Sequence, residues 1–177
     1  MTEVAASPLD RARKLGETAS VVATIAAVII VVTTVVNLAG PAAGALREQK
    51  VTLDLAGLSS LGLIVLRHVI LAVPNFLLAG AIYELSKVLD EYGKGQFFTL
   101  RASVAVRKAG EDALWALAFK ILISPTVYAW VTHEGRGFIW HYEPFDLGLV
   151  AFAAFVMVLG RVLEAAARIK AENDQIV

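Results

Sequence analysis

The chain reads as an all-α, polytopic membrane protein: four transmembrane helices, with a short cytoplasmic interfacial helix between the second and third. Two observations carry that class. Four long apolar stretches collect most of the charge at their boundaries, and the whole chain is 58% hydrophobic and only 18% charged, with a mean hydropathy of +0.68. Soluble domains carry about 25% charged residues. At 177 residues the chain is one domain by size, 1–177, and four spans with short connections leave no room for a separate soluble module. Sixteen basic residues balance sixteen acidic ones, so net charge gives no indication of direct nucleic-acid binding. The absence of cysteine removes disulfides, thiol redox chemistry and Cys-ligated zinc or iron–sulfur sites together.

The first span runs over about 19–38 without a charge, close to the ~20 residues that cross ~30 Å of hydrocarbon. It is too long for a cleavable signal core and reads as a retained anchor. Thr24, Thr33 and Thr34 are expected to return hydrogen bonds to their own helix carbonyls. The second span, about 55–83, is long enough to tilt and contains Arg67, His68, Pro74 and Asn75. Pro74 removes a donor and frees a carbonyl one turn earlier, near Ile70. The third, about 113–131, holds Lys120 and Pro125; the fourth, about 147–163, offers Gly148, Ala151, Ala153, Ala154 and Gly160 for close packing.

Basic residues fix the expected orientation. Eleven flank the spans on one side (Arg11, Arg13, Lys14; Lys87, Lys94, Arg101, Arg107, Lys108; Arg161, Arg168, Lys170) and three on the other (Arg47, Lys50, Arg136). The positive-inside rule then places both termini and the middle connection in the cytoplasm and the two hairpin loops on the outer side. Tyr128, Trp130, Phe138, Trp140, Tyr142 and Phe145 cluster around the second outer loop, where amphipathic rings favour the interface.

In the middle connection, Gly93 and Gly95 permit a turn and Thr99 can cap the next helix. Leu100 to Gly110 then reads as an amphipathic segment lying at the inner leaflet, with Phe97 and Phe98 as its apolar foot and Arg101, Arg107 and Lys108 toward anionic lipid.

These same motifs carry a resemblance. GKGQFFT at 93–99, VAVRKAG at 104–110 and the terminal AENDQIV at 171–177, on a frame of four spans, resemble the bacterial membrane proteins of domain-of-unknown-function family 2975. The family's Gly-x-x-Phe-Thr turn corresponds to Gly95, Phe98 and Thr99, and its basic pair before a glycine to Arg107, Lys108 and Gly110. Its acidic-polar end corresponds to Glu172, Asn173, Asp174 and Val177. Relatives often carry an asparagine soon after Phe-Thr, where this chain has Leu100, Arg101 and Ala102. The resemblance implies the four-span fold in a bacterial inner membrane and, through neighbouring genes for small helix-turn-helix regulators, a connection with signalling. It implies no catalytic residues.

Ionisable groups inside a span cost at least ~2.5–3.5 kcal/mol on insertion scales, so Arg67 and Lys120 need partners. Arg67 is expected to meet Glu143, Asp146 or the carbonyl freed by Pro74. Lys120 is expected to meet Asn75 at equal depth in the inner half of the membrane and to send its ammonium toward Glu84 or Glu164. His68 lacks a second imidazole at matching depth for bis-histidine haem, since His133 and His141 fall in the outer loop. That loop, with Glu134, Glu143 and Asp146, lacks a tight metal-ligand spacing and reads as a solvated interface. No H-E-x-x-H, G-x-S-x-G or Walker pattern occurs, so neither an enzyme nor a cofactor is expected. The functional expectation is a noncatalytic membrane protein of regulatory or accessory type, acting in the bilayer through a protein partner or a second copy of itself. An immunity protein against a membrane-active toxin and a small oligomeric transporter or channel are the alternatives.

Overall fold

The computed structural model describes residues 8–47, 55–97, 99–132 and 137–173, and all its regular structure there is helical. Helix α1 spans Pro8–Arg47, α2 Leu55–Gly93, α3 Leu100–Ala118, α4 Ser124–Val131 and α5 Pro144–Asn173. A five-residue π-helical segment, Phe119–Ile123, joins α3 to α4 without interrupting the coil. Four helical units are long and apolar enough to cross a membrane: 9–41, 61–93, 100–131 and 144–173. Their outward faces remain apolar, as in Val28, Val32, Leu66, Phe152 and Phe155, because the solvent for those faces is lipid.

The helices outrun the stretches that the sequence marks as spans. At 40 residues α1 is about 60 Å long, twice the hydrocarbon thickness. They pack in a row, α1 on α2, α2 on α3 and α3 on α5, so that α1 and α5 form the two flanks. One end of the row carries the start of α1, the α2–α3 turn and the end of α5, and is here termed the basic end. The other carries Trp130, Trp140 and Phe145 and is termed the aromatic end.

Glycine decides two of the three crossings. A Cβ on Gly16 would lie 2.7 Å from the backbone nitrogen of Gly93, and one on Gly93 would meet Glu17 at the same distance. On the other flank, a Cβ on Gly110 would lie 2.4 Å from the Met157 nitrogen, and one on Gly160 would lie 2.3 Å from that of Arg107. Of the small residues expected on the fourth span, Gly160 and Ala153 are buried, whereas Ala151 and Gly148 are exposed. Between α2 and α3 the core is Val88, Ala102, Ala105 and Val106, closed by Tyr92, Val156 and Leu163. The Ser20 hydroxyl donates across to the Ser86 carbonyl at 3.0 Å, while Thr24 and Thr34 donate to Ser20 and Ile30 in their own helix, as expected.

The turn between α2 and α3 takes the anticipated form. Gly95 has φ +76°, and Thr99 caps α3, its hydroxyl accepting the Ala102 N–H at 3.1 Å. A side chain at Gly95 would suffer twice, from the left-handed backbone and from Arg13, whose Nε lies 2.6 Å from the Cβ position. Gly95→Ala should cost about 1–2 kcal/mol, whereas Gly62→Ala, in open space within α2, should be neutral or stabilising by up to ~1 kcal/mol. Melting temperatures of the two purified variants should therefore move apart.

The separate interfacial helix is corrected. Leu100 to Gly110 is the first half of α3 and runs straight into Ala118. Its Ala102, Ser103, Ala105, Val106, Ala109 and Gly110 are buried, because small side chains let α2 and α5 close on it from both sides. Phe97 packs on Tyr92, with ring centroids 5.5 Å apart. Phe98, Lys50, His133, Glu134, Arg136, Asp174 and Val177 lie outside the described residues.

Candidate functional site

Two prolines organise the membrane-embedded half of the structure. Pro74 cannot donate to the Ile70 carbonyl, and the Ser124 hydroxyl of α4 supplies the missing bond at 3.2 Å. Pro125 likewise leaves the Ile121 carbonyl without its helical donor; there the coil widens into the π segment, and the His141 N–H donates to Ile121 at 3.0 Å. Thr126 pins the same extended stretch, donating to the Ile139 carbonyl at 2.7 Å and accepting the Ile139 N–H at 3.0 Å. Residues 138–143 are thereby held against the π segment and α4, and they deliver the head of α5 to the level of Lys120.

There the ammonium of Lys120 donates to Oδ1 of Asp146 at 2.5 Å. Asp146 is 1% exposed, and its Oδ2 accepts the Glu143 N–H at 3.0 Å. As the third residue of α5, its carboxylate also sits where the helix dipole favours negative charge. Lys120 remains 49% exposed. Below the pair, α2, α3 and α5 line an open-sided cavity of about 390 Å³, apolar except for Lys120, Asp146 and Asn75 at one end. Asn75 and Lys120 line one space, but the ammonium goes to Asp146 and not to Asn75, Glu84 or Glu164.

Those two glutamates serve the basic end instead. Glu84 accepts from Lys87 at 3.0 Å and Lys108 at 2.9 Å, tying α2 to α3. Arg107 pairs with Glu111 at 2.6 Å and Glu164 at 3.4 Å, and Arg168 reaches Glu164 at 2.6 Å, tying α3 to α5. Arg101, 80% exposed, reaches Glu91 at 3.4 Å. Arg107 and Lys108 are therefore cross-braces between helices.

Arg67 also departs from expectation. Its guanidinium stacks over the Tyr128 ring, 4.7 Å from the centroid, because Asp146 is engaged by Lys120 and Ser124 already occupies the freed Ile70 carbonyl. Arg67→Met should cost about 0.5–1 kcal/mol, and Tyr128→Leu should remove the same increment, with no further loss in the double variant. Thermal melts of the three purified proteins measure it. His68 Nδ1 lies 2.7 Å from the Ile64 carbonyl, one turn back in its own helix, a local structural bond.

Sequence reading missed the Lys120–Asp146 pair by assigning Asp146 to a solvated loop. The available signal was Pro144 two residues earlier, since proline in a first helical turn marks a helix start.

Four long apolar helices with apolar outward faces define a polytopic helical membrane protein. Residues 70–177 match the family described as "Protein of unknown function (DUF2975)", and the chain belongs to that family. Comparison with curated proteins and with solved structures gives no match.

Proposed function

We propose that this chain is a noncatalytic inner-membrane protein of regulatory or accessory type, whose basic end lies in the cytoplasm and docks a protein partner with an acidic surface. The observation that supports this reading is a charged groove of about 230 Å³ at the basic end. Glu84 and Glu91 form its buried floor, and Lys87, Arg101 and Lys108 stand at its exposed rim. The two carboxylates hold the three cations in place. Little side-chain entropy remains to be lost when a partner carboxylate arrives at the rim, which favours binding by preorganisation. The eleven-to-three distribution of basic residues supports the cytoplasmic orientation.

Two measurements test the proposal. Alkaline phosphatase fused after Val177 should be inactive, and inserted near Gly137 it should be active; the reverse would refute the orientation. A photo-crosslinking amino acid at Val104, which lines the groove, should yield a discrete protein adduct in cells that Arg101→Glu abolishes. An adduct unaffected by the charge reversal, or no adduct at all, would refute the docking role.

A further inference from the structure

The 390 Å³ cavity is a groove with a direction. It runs from Pro74 to Leu85 along α2 and from Lys120 back to Ala109 along α3. Each stretch rises roughly 16 Å at 1.5 Å per residue. That is half of the ~30 Å hydrocarbon core, the depth of one leaflet. Its floor is made of Ala109, Gly110, Ala113 and Ala116, and its rims are the exposed Leu78 and Phe152, so it opens sideways toward lipid. A slender hydrocarbon chain can lie along it.

The polar end supplies the second argument. An ammonium has three donors, and Lys120 gives one to Asp146; the other two have no partner among the described residues. Asn75 presents its exposed amide to the same end. Nearby Tyr142 and Phe145, 54% and 72% exposed at the head of α5, are amphipathic and aromatic groups suited to the membrane interface, where lipid ester groups lie. We infer that the α2–α3–α5 groove holds one acyl chain of a bilayer phospholipid, with the chain's ester carbonyl at Lys120 and Asn75 and its methyl end toward Ala109. The lipid's second chain remains in the bilayer, since the groove opens along its side.

The test uses the full chain in phosphatidylethanolamine vesicles carrying a trace of the same lipid with a diazirine in one acyl chain, followed by peptide mapping. Groove residues should be labelled about tenfold over the lipid-facing Val28 and Val32 of α1. A diazirine near the ester should label the Ala116 to Lys120 end, and one near the chain terminus the Ala109 end. Ala113→Phe, which fills the floor, should reduce groove labelling to the level of α1, and the milder Ala113→Leu should reduce it in part; monodisperse elution identifies the folded variants. Equal labelling of the groove and α1, labelling insensitive to both substitutions, or reversed order along the groove would overturn the inference. So would loss of label to equimolar free stearate, which would make the occupant a fatty acid, or a disulfide-linked dimer of Leu78→Cys, which would seat a second copy on this face.

Discussion

Gly160→Leu should abolish the α3–α5 crossing and cost about 3 kcal/mol or more. Even a methyl group at this position would stand 2.3 Å from the Arg107 nitrogen and 2.5 Å from its Cα, both backbone atoms that cannot rotate away. The helices would have to separate, and the dispersion contacts along the whole crossing would weaken with them. The Arg107–Glu164 bridge spans the same crossing and would lengthen too. Gly148→Leu in the same helix is the control, because nothing lies within 4 Å of its Cβ position, and it should change stability by less than ~0.5 kcal/mol. Thermal stability by size-exclusion of solubilised protein separates the two. Equal melting temperatures would show that α5 does not pack at this register.

Asp146→Leu should be the most damaging single change at the Lys120–Asp146 pair, at about 3 kcal/mol. It strands the Lys120 ammonium and leaves the Glu143 N–H without its acceptor. The figure sits at the low end for a broken buried ion pair, because Lys120 is half exposed and can recover some solvation or reach the interface. Lys120→Met in the Asp146→Leu background should restore at least half of the loss, since an apolar pair in an apolar cavity has no charge left uncompensated. A double-mutant cycle on melting free energies reads the coupling directly. A double variant as unstable as the summed single variants would mean that the two side chains act independently.

Helix number and identity were legible because a span is a local property: twenty uncharged residues from 19 to 38 suffice to recognise one. The turn was legible for the same reason, with Gly95 and Thr99 each acting within four residues of itself. Helix ends were not. The charged residues after Tyr83 and before Ala113 read as loop, yet Glu84 and Glu91 of α2 find basic partners on α3, and Asp90 and Glu111 find theirs within one turn, so α2 and α3 continue through them. The carbonyl freed by Pro74 was readable from the proline alone, but its donor, Ser124, lies fifty-four residues away and carries no local mark. For the same reason Asp146 was paired in anticipation with Arg67: both looked available at one level, and only the π segment and the 138–143 stretch bring Lys120 to it first.

The two carbonyls exposed by proline also bear on how the protein is assembled. A lone α2 threaded into lipid would carry an unsatisfied Ile70 oxygen, at a cost of several kcal/mol, until α4 arrived with its hydroxyl. The third span would in turn wait on His141, which is made later still and lies in the segment leading to α5. The second and third spans thus enter the bilayer incomplete, and each is finished by a later part of the chain. Insertion and association are then not independent stages for this protein, and a nascent chain stopped before Ser124 is a membrane intermediate with an open hydrogen-bond site, which a membrane protease or an insertion chaperone can distinguish from the finished fold.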